Sequence, residues 1–400
     1  MYKNCILAIL AMLIAGCTSV PEGQFLLDHA PVVAKMERQG KNNVLVAKYA
    51  SINSDTLAFP LSALVEDIRV VKLDPSDQAI VGRASAWIAV SENYIISHEY
   101  PVASKLFDKD GRYIGNIGAI GRGPGEYFAI YDEHIDEVNG KIYLMPFMAT
   151  KILVYDLQGK ALDPIPLYTE APKAIFRVHP NNTVTIAKLP FQGDSRNVVW
   201  TQDFSGKILS FKSIDFLSLR ADFSNEVIST KIKNGDNLDF CISTFWGQKD
   251  TVYHYNTKNN TLKPQFTMDF GASVPIHSYF ELPHYYLTTA ASPVATPRGH
   301  TAGNRQYIMI DKVSYKGAFC NLQNDFLGNI PVFPSSEATH AFKDGYYVQT
   351  IDPILLQEYL EAALRAQKDL PPEVAERVQQ LMHSISEDDN NYVIYGKLKQ

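Results

Sequence analysis

Between Tyr113 and Glu133 the chain reads YIGNIGAIGRGPGEYFAIYDE, glycine-rich enough to suggest a loop that cradles phosphate. A phosphate loop needs more than glycine. It ends in Gly-Lys-Ser/Thr and opens a helix, so that backbone N–H groups and a lysine meet the anion. Here Gly125 is followed by Glu126 and Tyr127 and then by a strand-like run, so an acid stands where the cation belongs. A dinucleotide fingerprint also requires a βαβ unit, and none follows. The loop therefore reads as a corner between strands, with Gly121, Gly123 and Gly125 supplying positive φ and close backbone approach while Pro124 stiffens it. Other chemistry is sparse. The 10 histidines are scattered, and the nearest useful pair, His277 and His284, would need a third ligand from elsewhere to hold a metal. His98 and Glu99 could form a base with its orienting acid, but neighbours in a strand point to opposite faces. The HExxH, CxxC and Gly-x-Ser-x-Gly patterns do not occur. No catalytic residue, metal site or cofactor is assigned from the sequence.

The elements that position side chains form a repeat. Alternating apolar runs end in similar turns: Gly111 in KLFDKDGRYIGNIG, Gly159 in KILVYDLQGKALDPI, Gly206 in NVVWTQDFSGKILSF and Asn259-Asn260 in DTVYHYNTKNNTLKP, spaced by 48, 47 and 53 residues. Gly and Asn tolerate the left-handed backbone of tight hairpins, and Asp108, Asp156, Asp203 and Asn256 just before them can bond back to the turn. A period of this length holding four short strands is the signature of a β-propeller blade. The expected fold is all-β, a six-bladed propeller over residues 61–400 with units at about 86–118, DEHIDEV to KALDPIPL, AIFRVHP to KILSFKS, 226–270, a looser 278–322, and a sixth from ATHAFKDGYYVQTID to NYVIYGKLK. The segment Leu64 to Asp74 is expected to close the ring as the outer strand of the last blade, removing an exposed edge. Residues 17–60 lack the repeat and are expected to form a tether and lead-in. One helical region, about 353–385, places Leu355, Leu356, Tyr359, Leu360 and Ala363 on one face and, after Pro371-Pro372, Val374, Val378, Leu381 and Met382 on another. Its polar face lacks a cationic bias, so it reads as an insertion in the last blade that packs on the propeller, not on a membrane.

Strands of a blade alternate in direction, so the loops between second and third strands and the loops between blades emerge on one face. Those loops carry Tyr100, Phe147, Phe191 and Trp246, with Arg298 and His300 in the longest, and the glycine corner adds Arg122 and Glu126. Aromatic rings from separate blades on a shared face suit stacking on sugars or receiving peptide side chains, although each ring could equally cap the core between blades. Trp246, beside Gly247 in a tight turn, is the leading anchor.

The chain has a formal net charge of −6, which argues against a nucleic-acid partner. Its 46% hydrophobic content supports a large core, and its 22 tyrosines and 20 phenylalanines favour strands. The start, MYKNCILAILAMLIAGC, has one early lysine and an apolar run too short to span a bilayer, as in a secretory signal. Ile14-Ala15-Gly16-Cys17 resembles the lipobox of bacterial lipoproteins, which implies cleavage after Gly16 and acylation of Cys17. Thr18 in place of Asp favours the outer membrane. Of the remaining cysteines, Cys241 and Cys320 sit in apolar strand-like runs where buried free thiols are expected, though an exported protein permits a disulfide.

FDKDGRYIGNIGAIGRGPGEY also resembles the hallmark of a family of bacterial six-bladed β-propeller lipoproteins related to NHL-type propellers. EDDNNYVIYGKLK is similar to that family's closing segment, with Asn391 where proline is common, and PLSALVEDIRVVKLD is similar to its entry strand. The resemblance implies the propeller fold and an envelope location and carries no established reaction. The expected function is a membrane-anchored, non-catalytic binding or assembly module for a glycan, peptide or envelope protein. A lyase- or lactonase-type propeller enzyme with a site at the central channel is the alternative.

Overall fold

The computed structural model describes residues 26–82, 87–192, 197–213, 219–220, 222–232, 237–297, 299–333, 341–366 and 370–400. They form a six-bladed β-propeller. Blade 1 runs through Trp87–Val90, Tyr94–His98, Ser104–Asp108 and Tyr113–Ile117. Blade 2 comprises Ile130–Asp136, Lys141–Pro146, Ala149–Asp156 and Ala161–Ala171, and blade 3 Ala174–His179, Thr183–Lys188, Asn197–Asp203 and Ile208–Ser213. Blade 4 holds Glu226–Ile228, Asn237–Ser243, Val252–Asn256 and Thr261–Asp269, and blade 5 Ile276–Glu281, Tyr285–Ala291, Gln306–Asp311 and Gly317–Asn324. The second strands are sandwiched between neighbouring blades, so Thr183–Lys188 and Tyr285–Ala291 are buried on both faces.

Blade 6 closes the ring as the sequence suggests. Its strands Phe342–Lys343, Tyr346–Ile351 and Tyr392–Lys397 are completed by Arg69–Lys72, with Val71 opposite Val393 and Val70 opposite Ile394. Val71, Val348 and Val393 then pack with Ile88, Ile95 and Phe107 of blade 1, joining the two ends of the ring through one apolar cluster. Residues 34–60, the lead-in that lacks the repeat, form strands added to the edges of two blades. In the hairpin Ala34–Gln39 and Asn42–Lys48 the second strand pairs parallel with the outer strand of blade 4, and Thr56–Pro60 pairs parallel with that of blade 5. These strands cover two edges that would otherwise be open and bury Val44, Leu45, Ala47 and Phe59.

The repeated turns have a double cause. Asp108 accepts from the N–H groups of Asp110 and Arg112 at 2.9 and 3.0 Å, and Asp156 and Asp203 do the same in blades 2 and 3. Gly111, Gly159 and Gly206 follow with φ of 83°, 80° and 87°. A Cβ on Gly111 would also lie 2.2 Å from the Lys72 carbonyl, and one on Gly159 2.2 Å from that of Asn116, each on the outer strand of the preceding blade. Blade 5 makes a related turn one residue longer, in which Asp311 accepts the Val313 and Ser314 N–H groups and Tyr315 takes the left-handed position at φ 60°, so no glycine marks it in the sequence.

Helices α1 (Pro353–Ala366) and α2 (Pro372–Ser384) are inserted between the last two chain-order strands of blade 6. Asp352 caps α1 by accepting the Leu355 N–H at 2.9 Å, and Leu356, Leu360, Ala363 and Val378 are buried against the propeller. Among the described residues, no helix is long and apolar enough to cross a membrane.

Candidate functional site

The innermost strands of the blades enclose a cavity of about 680 Å³ at the propeller axis. Trp87, Asp132, Ile175, Glu226, Ser278 and Lys343 stand in its wall, one from each blade in turn. Its mouth is built by loops of a single face. Phe147 comes from the second-to-third-strand loop of blade 2, Phe223 from the connection between blades 3 and 4, Phe245 from the loop of blade 4 and Arg305 from the long loop of blade 5. Phe223 is the hub of this mouth, exposed and edge-on to Phe147 at 5.5 Å and to Phe191 at 5.7 Å.

On the wall, Lys173 gives its ammonium to Glu226 and to the carbonyls of Phe223 and Asn225 at 2.6 and 3.1 Å, and lies over the Tyr131 ring. Glu226 also accepts from the Tyr131 hydroxyl at 2.6 Å. Burial, then the charge of Glu226, pushes the Tyr131 phenol far above its ordinary value, so it remains a donor.

The floor is a charge network drawn from blades 1, 2 and 6 and the segment after the inner strand of blade 4. Lys343 donates to Asp132 at 2.7 Å and to Glu133 at 2.5 Å, while Lys231 donates to the other Asp132 oxygen and to the Glu133 carbonyl, both at 2.8 Å. The Phe176 N–H adds a bond of 2.8 Å to Asp132. His98 places Nε2 3.5 Å from Glu133 and Nδ1 2.6 Å from the Ser104 hydroxyl. Two lysines thus balance two acids away from water. Burial alone would raise Glu133, but Lys343, His98 and Lys231 outweigh it and hold the carboxyl down to about 2. Burial and the charge of Lys343 push His98 down to about 4 against the opposing pull of Glu133, so its imidazole is neutral. Lys343 is raised despite its burial by Asp132 and Glu133.

Residues 46–397 match the family model described as a domain of unknown function, DUF4934. The chain belongs to the DUF4934 family. None of the curated proteins compared with this DUF4934 chain matches it. Among solved structures it is similar to a Bacteroides fragilis protein described as exported, at 14% identity and a TM-score of 0.56, over 89% of this chain and 99% of that one. A DUF4221-family protein of Bacteroides vulgatus gives 11% identity and a TM-score of 0.40 over 84% and 97% of the two chains. A virginiamycin B lyase of Staphylococcus aureus gives 11% and 0.38 over 63% and 74%. The first likeness shows the fold alone, and the other two carry no argument.

The sequence-derived residues of the DUF4934 chain fall into separate settings. Phe147 lines the cavity. Phe191 is buried and supports Phe223 from behind. Trp246 is exposed and edge-on to Phe245 and to His300 at 5.2 and 5.3 Å, beside the mouth, where Phe245 and not Trp246 forms the lining. Gly247 has a φ of 55° and a site for Cβ only 2.1 Å from the Val274 carbonyl, so the tight turn beside the indole is present. Tyr100 is exposed, 4.8 Å from the Phe128 ring, on a separate cavity of about 250 Å³ that His98 also lines. Arg122 is exposed in the glycine corner and lines neither cavity. Glu126 curls back to accept the Gly123 N–H at 2.7 Å, so its carboxylate closes the corner. Positive φ occurs at Gly118 and Gly125, whereas Gly121 and Gly123 are small because the Glu126 carboxylate lies 2.0 and 3.0 Å from where their Cβ atoms would be. That corrects the expectation of left-handed backbone at Gly121 and Gly123. Arg298 and Cys17 lie outside the described residues.

His98 takes its acid from Glu133 in the next blade, while Glu99 accepts the Gly82 N–H at 2.7 Å. His277 is buried with Nδ1 2.9 Å from the Pro275 carbonyl and its ring against Phe270 and Tyr279. Among the described residues, no three His, Cys, Asp or Glu side chains are grouped so as to hold a metal ion. Cys241 and Cys320 are buried free thiols.

Proposed function

We propose that this DUF4934 protein is an envelope-anchored, non-catalytic module that captures a glycan, peptide or protein segment in its axial cavity. The observation that supports it is how the polar groups there are engaged. Lys173, Glu226, Asp132 and Lys343 face the cavity already committed to internal ion pairs, beneath a mouth of aromatic rings. Such a site offers apolar area and fixed dipoles, and few groups free to move a proton. Ser104, His98 and Glu133 align as a nucleophile, base and acid would, but all three are buried and Glu133 is held by Lys343. Binding of defined glycans and peptides should be lost in a Phe147→Ala, Phe223→Ala variant with an unchanged circular dichroism spectrum. Turnover of a captured ligand, abolished by His98→Gln, would overturn the non-catalytic part.

The envelope location rests on the Ile14 to Cys17 motif. Acylation of Cys17 would supply the membrane anchor, a second acyl attachment strengthening it, and Thr18 favours the outer membrane. Mass spectrometry of the membrane fraction should find the mature peptide beginning at acylated Cys17. Unchanged membrane attachment of Cys17→Ser would exclude the anchor.

A further inference from the structure

We infer that the axial cavity recognises a carboxylate, and that Arg305 is the group that reads it, in an acidic saccharide of about two or three rings. The assignment rests on the binding function proposed above and narrows its ligand. Three cations line the cavity, Lys173, Lys343 and Arg305, against two acids, Asp132 and Glu226. The lysines are spent: Lys173 on Glu226 and two carbonyls, Lys343 on Asp132 and Glu133. Arg305 is half-buried at the mouth and has no hydrogen-bond or ion-pair partner among the described residues. The lining therefore carries one uncompensated positive charge on a protein whose formal net charge is −6. A guanidinium in a partly desolvated, aromatic-walled site gains most from a planar anion that it can grip with two parallel N–H groups.

The rest of the lining favours a sugar as the carrier of that carboxylate. Phe147, Phe223 and Phe245 present ring surface at the mouth, which suits the apolar faces of pyranose rings. Ser243 and Ser278 also line the cavity. Ser243 donates to the His277 carbonyl and lies 3.0 Å from the Ser278 hydroxyl, so these groups are held in place and keep acceptor capacity toward ligand hydroxyls. The volume, about 680 Å³, is within the ordinary range for small-ligand sites and limits the occupant to a short oligosaccharide or chain end.

The test is calorimetry of the full mature protein with uronate-containing di- and trisaccharides, and with the same sugars after reduction of the carboxyl to a hydroxymethyl group. The acidic sugars should bind wild type, and Arg305→Gln should weaken them by about ten- to a hundredfold. The reduced sugars should bind both proteins equally weakly. Equal binding of acidic and reduced sugars to wild type, or an unchanged affinity in Arg305→Gln, would overturn the carboxylate assignment. If that binding still depended on Phe147 and Phe223, the cavity would stand as a binding site with a neutral ligand. A parallel arm uses tripeptides with free and amidated C-termini; preference for the free peptides over every sugar would overturn the saccharide. Binding of none of these probes would reject the acidic-saccharide assignment, and the Phe147→Ala, Phe223→Ala comparison on a wider ligand panel would then decide the binding function by itself.

Discussion

Replacing Lys343 by methionine perturbs the charge network under the cavity at its most connected point. In the native protein Asp132 and Glu133 are balanced by Lys231 and Lys343, with neutral His98 beside Glu133. Methionine keeps the stem and removes the ammonium, leaving one carboxylate charge uncompensated among side chains that are almost fully buried. Breaking a buried pair from one side costs about 3–5 kcal/mol, well above the value of a surface ion pair. The penalty should depend on pH, and the direction is fixed by His98. Lys343 is one of the charges holding His98 down to about 4, so its removal lets the imidazole take a proton and restore neutrality. A less depressed folded-state value means the variant loses less stability than wild type as pH falls below the ordinary histidine value, so the gap between the two proteins should narrow on acidification. Urea unfolding of both proteins at pH 8 and pH 5.5 measures this. The expected loss is about 3–5 kcal/mol at pH 8 and clearly smaller at pH 5.5. A loss below about 1 kcal/mol, typical of exposed pairs, or one identical at both pH values, would refute the view that these charges are dry and coupled.

Wild type itself should lose stability as pH falls through the window between the ordinary histidine value and the depressed one of about 4. There the unfolded state binds the extra proton, at a cost of up to about 3 kcal/mol, and His98→Gln should flatten that part of the urea-midpoint profile; an unchanged slope would exclude His98. Gly159 and Gly140 both have positive φ, but only Gly159 faces a backbone oxygen, so Gly140→Ala should cost about 1 kcal/mol from strain while Gly159→Ala costs at least about 2. Equal losses in thermal unfolding would remove the close-approach argument. Glu126→Ala should lower stability by about 1–3 kcal/mol through the unsatisfied Gly123 N–H, with no thermal shift from ATP or NAD in either protein; stabilisation by a nucleotide would contradict the corner-turning role.

The blades were legible because each hairpin needs a left-handed residue after a bonding side chain, and Asp108-x-x-Gly111 and its counterparts state both requirements locally. Closure by Arg69–Lys72 was legible for a related reason: a strand-like run with no partner in its own repeat has to find one elsewhere. The added edges from residues 34–60 were not, since parallel pairing with Thr261–Asp269 and Gly317–Asn324 leaves no local pattern. The face carrying the loops followed from strand alternation, and it includes Phe147 and the neighbours of Trp246. The cavity itself escaped. Lys173, Tyr131 and Glu226 are far apart in the chain and converge only through the ring, and Phe223 lies in a connection with no repeat signal. The pairing of His98 with Glu133 was hidden for the same reason, while the adjacent Glu99 turned out to serve the Gly82 backbone. Arg305 lies in the same long loop that drew attention to Arg298, and only the cavity wall distinguishes it.

The most direct test of ligand capture at the axis is native mass spectrometry of the mature protein purified from its own cell envelope, beside the Phe147→Ala, Phe223→Ala variant prepared identically. A small-molecule adduct should appear on wild type and fall about tenfold or more in occupancy in the variant. Equal occupancy of the two proteins, or an adduct displaced only by changes outside the cavity, would contradict it.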